Sequence, residues 1–107
     1  MSIKSPEFAI ELPETKELDY KGEGVDLVVG VRRKGATFDF YLGGKIGDKE
    51  VDARVSEAYG ILCSYGEIRP KSIAHRLNED LLARHGYVLP CPRLTGKIKE
   101  LLKEFGL

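Results

Sequence analysis

The stretch YGEIRPKSIAHRLNEDLLARHGYVLPCPRLTGKIKELLKEFGL, residues 65–107, decides the fold that this sequence predicts. Its apolar residues recur at helical spacing in two runs, and a loop with glycine and proline separates them. In the first run, Pro70 occupies a position favoured in the opening turn of a helix, and Gly86 is a typical helix stop. The apolar face of this run, predicted helix two, comprises Ile73, Ala74, Leu77 and Leu81.

The second run follows the loop GYVLPCP, residues 86–92, which two prolines stiffen. Lysines and glutamates cover its other side, and Gly106 ends it, so it is amphipathic. The apolar stripe of this run, predicted helix three, comprises Leu94, Ile98, Leu101, Leu102 and Phe105.

The preceding residues, 52–64, are predicted to form helix one. Asp52 is placed as a possible N-cap, and Gly66 as the stop. The apolar positions at helical spacing are Val55, Ala58, Tyr59 and Leu62.

The first half of the chain predicts β structure. Residues 25–31 and 38–42 each place alternate apolar side chains on one face, and a turn at Lys34 and Gly35 joins them as a hairpin. Gly43 and Gly44 predict a second turn, followed by a third strand over residues 45–51. Residues 8–12 predict a short edge strand, and residues 13–24 a charged loop.

The whole chain therefore predicts an α+β fold, in which an N-terminal antiparallel β-meander packs on a C-terminal three-helix unit. A length of 107 residues, with 42% hydrophobic and 32% charged residues, fits a single globular domain. We expect residues 1–51 to form its β-rich part and residues 52–107 its helical part.

Composition also narrows the expected function. The sequence has no long apolar run or signal-peptide core, which predicts a cytoplasmic protein without a membrane partner. Cys63, Cys91, His75 and His85 lack metal-ligand spacing, and no catalytic constellation is recognisable, so no metal, cofactor or enzymatic activity is expected. The absence of glutamine and the presence of one asparagine beside many charged residues favour a thermophilic source.

The run GEIRPKSIAHRLN followed by PRLTGKIKELLKEFGL resembles the winged-helix and helix-turn-helix family of DNA-binding domains. Ile73 and Ala74 match the pair that lets helix three approach helix two, and residues 102–107 match the ending Leu-x-x-x-Gly-Leu. The resemblance covers about residues 52–107 and lacks a C-terminal wing. It implies a three-helix helix-turn-helix unit and a small transcription regulator that acts as a dimer on double-stranded DNA.

The resemblance also implies which residues would contact DNA. On helix three, Arg93, Thr95 and Lys97 would reach bases, while Lys99 and Lys103 would contact phosphates. The hairpin tip would replace the missing wing, and helix two would grip the backbone. The residues expected in these two supporting roles are Arg32, Arg33, Lys34, Arg69, Lys71 and Arg76.

Other interpretations of these residues stay open. Gly96, on the exposed side of helix three, predicts either close approach to DNA or a helix that starts late at Thr95. The lysines equally fit a solvated face, and the zero net charge fits a protein-interaction or assembly module that binds no DNA. The DNA hypothesis requires helix three and the hairpin tip to share one basic surface.

Overall fold

Four antiparallel strands followed by two helices make up the part of the chain that the computed structural model describes, residues 14–58 and 69–106. The strands pair in chain order, so the sheet is a meander and the fold is α+β. The elements are β1 (Glu14–Gly22), β2 (Val25–Lys34), β3 (Thr37–Ile46), β4 (Lys49–Ala58), α1 (Pro70–His85) and α2 (Cys91–Glu104).

The central hairpin is formed by β2 and β3, as the apolar alternation predicts. Val29 lies opposite Leu42, and Val31 lies opposite Phe40. These side chains are buried on one face of the sheet, against the helices. The alternation thus identifies the face that becomes the core.

The helix predicted over residues 52–64 is wrong, because β4 occupies residues 49–58. Val51, Ala53 and Val55 are buried on the core face, while Asp52 and Arg54 between them are exposed. Alanine, arginine and glutamate favour a helix locally, but pairing with β3 buries three apolar side chains at a period of two. Residues 59–64 lie outside the described part of the chain.

The three-helix helix-turn-helix unit is therefore corrected to two helices within residues 14–58 and 69–106. Both lie where the sequence predicts helices two and three, and Gly86 ends α1 in a left-handed conformation. The predicted loop over residues 86–92 is too long by two residues, because α2 starts at Cys91. Gly96 therefore lies within the helix and not at a late beginning.

Two β-segment boundaries are also corrected. Most of the predicted loop over residues 13–24 is instead β1, an edge strand. Only Tyr20 is fully buried in it, so the strand lacks the alternating apolar residues that would have identified it in the sequence. The predicted turn at Gly43 and Gly44 is continuous strand, and the chain turns at Gly47 and the next residue. The strand predicted over residues 8–12 lies outside the described residues.

Gly44 is a glycine because two strands approach each other closely there. Its φ is 141°, and a Cβ would lie 2.3 Å from the Asp26 carbonyl oxygen. Gly44 therefore serves strand packing, and the sequence alone does not distinguish this role from that of a turn glycine.

Both helices pack on the core face of the sheet: α1 contacts β4 and β3, while α2 contacts β1 and β2. Asn78 of α1 is buried and binds the backbone of Leu89, in the segment between the helices. Its Nδ2 donates to the Leu89 carbonyl and its Oδ1 accepts the Leu89 N–H, both at 2.9 Å. One side chain thus satisfies two buried backbone groups and fixes the path into α2.

Side chains of α1 also cover the outer edge of β4. The Arg54 N–H donates to Asp80 Oδ2 at 2.9 Å. This bond occupies a backbone donor that an edge strand otherwise leaves unpaired.

Candidate nucleic-acid interface

Side chains in the first turns of α2 make contacts within the protein, although Arg93 itself is exposed. Arg93 donates to the carbonyl oxygen of Lys21, and its guanidinium carbon lies 4.2 Å from the centroid of the Tyr20 ring. Thr95 is half-buried, with Oγ1 3.8 Å from the Cys91 sulfur. Arg93 and Thr95, two of the three residues predicted to contact DNA bases, therefore make contacts within the protein.

The solvent side of α2 matches the helical-wheel prediction. Gly96, Lys99 and Lys103 are exposed, whereas Lys97 is half-buried. A Cβ on Gly96 would meet no atom within 4 Å, so packing inside the described structure does not require glycine there.

The hairpin tip meets the C-terminal end of α2. Arg32 and Arg33 are neighbours in β2 and so lie on opposite faces of the sheet. The Arg33 guanidinium lies 5.8 Å from the centroid of the Phe38 ring, and that ring contacts Phe105 edge-to-face, with centroids 5.6 Å apart. Arg33 is therefore close to the last turn of α2, and Lys34 follows it at the tip of the hairpin.

The single surface predicted for the hairpin tip and helix three forms only in part. Arg33 lies opposite Glu14, at one end of β1, whereas Arg93 lies beside Gly22, at the other end. Eight residues of extended chain separate the two ends, which is about 25 Å. The hairpin tip thus lies near the C-terminal end of α2, whereas the N-terminal end of this helix was predicted to enter the DNA major groove.

The N-terminal half of α1 lies at the same end of the sheet as the tip. Arg76 forms an ion pair with Glu57, and Glu57 lies opposite Phe38 in the sheet. Arg69 and Lys71 are exposed where α1 begins. All three of these residues were predicted to contact the DNA backbone. Arg76 is instead paired with a carboxylate of the protein, while Arg69 and Lys71 face solvent.

Three elements therefore bring cationic side chains to one end of the molecule, which we call the basic end. Within residues 14–58 and 69–106, and leaving aside Arg32 and the ion-paired Arg76, its exposed members are Arg33, Lys34, Arg69, Lys71 and Lys103. Two exposed acidic residues among the described ones, Glu14 and Glu104, lie at this end, so these five positive charges against two negative leave a local charge of +3 for the described residues. A neutral chain thus carries a polarised surface.

Asp52 and His85 form a polar contact toward the opposite end, which the sequence did not reveal. Asp52 Oδ1 lies 3.0 Å from His85 Nε2, and Arg84 contacts the same carboxylate at 3.3 Å. The hydrogen bond with His85 is the largest cause that lowers the pKa of Asp52, and Arg84 also lowers it. The placement of Asp52 as a helix N-cap concealed this role.

The face of the sheet opposite the helices carries a groove of about 330 Å³. Its polar lining residues are Glu17, Arg32, Asp39, Tyr41, Asp52 and Arg54. Tyr41 lies across Gly30, where a Cβ would come within 2.5 Å of the phenol, and its hydroxyl donates to Glu17 at 2.5 Å. Burial, followed by this hydrogen bond, raises the pKa of Tyr41 to about 12.

Comparison with known proteins does not identify a function for these surfaces. No protein-family model, curated protein or solved structure matches the chain. Within the two described ranges, no three His, Cys, Asp or Glu side chains group as a metal site, and no helix is long and apolar enough to cross a membrane. Functional inference therefore depends on the geometry and charge of the basic end and the groove.

Proposed function

We propose that this protein binds double-stranded DNA through the basic end. The observation that carries the proposal is the convergence of the hairpin tip, the start of α1 and the end of α2, which places five exposed cationic side chains together. Phosphate oxygens are the natural partners of such a group, because lysine and arginine displace counterions from the DNA backbone. The local charge of +3 supports this binding despite the neutral chain.

The proposed contacts are to phosphates and not to bases. Of the three residues expected to read bases, Arg93 is bound to the Lys21 carbonyl, and Thr95 and Lys97 are half-buried. Phosphate contacts fix orientation but carry no sequence information. We therefore expect binding with little sequence preference and with a strong dependence on salt.

The proposal is tested by fluorescence anisotropy with a labelled random duplex of about 20 base pairs. If all five cations contact phosphates, log K falls with log salt at a slope of about −4.5, which is roughly a 500-fold loss between about 50 and 200 mM salt. The double substitution Lys71→Gln with Lys103→Gln is expected to reduce the slope by about 2. Glutamine is polar, nearly as long as lysine and similar to it in helix propensity, so we expect folding to be unaffected.

A matched control removes two charges at the other end of the sheet. Lys21 and Lys45 are exposed there, and Lys21→Gln with Lys45→Gln changes the net charge by the same amount. This variant should bind DNA as the wild type does. Equal weakening by both pairs would contradict the assigned surface, and no wild-type binding at low salt would contradict DNA binding itself.

We further predict that the protein is cytoplasmic, that its DNA binding regulates transcription, and that it acts as a dimer.

A protein-interaction role is the second candidate function. It is favoured by two exposed apolar side chains, Leu82 at 53% and Val88 at 59% exposure. Comparing the sedimentation of the wild type with that of the double variant Leu82→Gln, Val88→Thr tests whether these two side chains mediate self-association. Dissociation in the variant would support a homodimer through this patch, and identical sedimentation would exclude that contact.

A further inference from the structure

The groove on the open face of the sheet contains a fixed aromatic surface. Tyr41 extends from β3 across Gly30 of β2, and its hydroxyl bonds Glu17 of β1. One side of the ring therefore lies against backbone, and the ring borders the groove with its remaining surface. The phenol is held in place before any ligand arrives, so stacking on it requires little additional ordering.

The carboxylates around this ring already have partners. Glu17 accepts the Tyr41 hydroxyl, and Asp39 accepts the Ser56 hydroxyl at 2.6 Å. Arg54 lies 3.9 Å from Asp39. At the far side of the groove, Asp52 is engaged by α1 residues.

Arg32 differs from its neighbours in the groove. It is exposed and lies beside Asp39 in the sheet register, but within the described residues its guanidinium has no hydrogen bond or ion pair. The groove therefore offers one unoccupied guanidinium next to one fixed ring. A guanidinium binds phosphate oxygens through two parallel hydrogen bonds.

We propose that the groove binds a nucleotide, with the base stacked on Tyr41 and the phosphate bound by Arg32. Asp39 and Arg54 also line the groove, and beyond their contacts with Ser56 and with each other they keep an acceptor and a donor for the hydrogen-bonding edge of the base. A volume of about 330 Å³ lies within the range of small-ligand sites. The nucleotide is either a free molecule or one unit of a single strand, and this site is independent of duplex binding at the basic end.

Isothermal titration with AMP, adenosine and inorganic phosphate tests the two halves of the site on the full chain. AMP is expected to bind at least about 10-fold more tightly than adenosine or phosphate alone, because only AMP engages both groups. Arg32→Gln is expected to weaken AMP binding by about 10-fold or more. Because Arg32 bonds nothing in the described structure, this variant should melt at the wild-type temperature.

Lys45→Gln, on the same face but outside the groove, provides the matched control and should leave AMP affinity unchanged. Tyr41→Leu should weaken AMP by about 10-fold or more, and if it fails to fold, Arg32→Gln alone decides. Tighter binding of a deoxyadenylate hexamer than of AMP identifies a single strand as the source, and equal binding identifies the free nucleotide. No heat signal with AMP, or unchanged affinity in Arg32→Gln, overturns the proposal.

Discussion

Replacing Asn78 with alanine should destabilise the protein far more than the small change in side-chain volume implies. Asn78 is buried at 7% exposure and holds both backbone polar groups of Leu89, a residue that is itself only 4% exposed. The two hydrogen bonds, each 2.9 Å long, are lost together in Asn78→Ala. Alanine is a better helix former than asparagine, so local propensity opposes the loss by only a few tenths of a kcal/mol.

The size of the effect follows from the groups that the substitution leaves behind. A buried donor or acceptor without a partner costs about 1–3 kcal/mol, and Leu89 would retain one of each. The expected loss is therefore about 2–5 kcal/mol in the free energy of unfolding. For a domain of this size, that corresponds to a decrease in Tm of roughly 10–20 °C.

Urea denaturation followed by circular dichroism measures this difference directly. Glu79→Ala provides the control, because Glu79 is the exposed neighbour and forms only a surface contact with His75 at 3.5 Å. The control should change the free energy of unfolding by less than about 0.5 kcal/mol. A loss below about 1 kcal/mol in Asn78→Ala would refute the reasoning, since it would mean that Leu89 finds other partners or water.

Three further predictions concern titration and backbone geometry. The hydrogen bond with His85 lowers the pKa of Asp52, so this carboxylate contributes stability above about pH 4 that is lost as the pH falls through the lowered pKa. In Asp52→Asn, the stability difference between about pH 6 and about pH 3 should therefore shrink in urea denaturation, and an unchanged difference would contradict this. The pKa of Tyr41 is raised to about 12, so an ultraviolet titration should show a tyrosine ionising there that disappears in Tyr41→Phe. If the step persists in the variant, it belongs to another tyrosine. Gly44→Ala should cost at least about 2 kcal/mol in thermal unfolding, because its Cβ would meet the Asp26 carbonyl, whereas Gly47→Ala should cost about 1 kcal/mol for its positive φ alone. Equal costs at the two glycines would show that the strand contact is unimportant.

Sequence pattern located the central hairpin and the two C-terminal helices because each has apolar residues at a clear period. It failed at β4, where Val51, Ala53 and Val55 alternate but Val55 and Ala58 also fit helical spacing. A short segment that satisfies both periods is settled by what it packs against. In this protein β3 provides that partner.

The candidate surfaces show the same division. The wheel of α2 correctly placed Lys99 and Lys103 toward solvent, since helical geometry alone determines which side is apolar. It could not show that Arg93 folds back onto Tyr20 or that Arg33 meets Phe105 through Phe38. These contacts join residues that are far apart in the chain, so no local pattern records them.

By itself, then, the sequence determined the core face of the central hairpin, the bounds of α1, and the position and solvent side of α2. These depend on short-range periodicity and on stop residues such as Gly86. Only the tertiary structure decided that residues 49–58 are a strand, that three distant elements form one basic end, and that Tyr41 lies across Gly30 beside Arg32. Strand pairing and helix docking fix those arrangements, because their free energy comes from contacts between segments and not from the residues of any one segment.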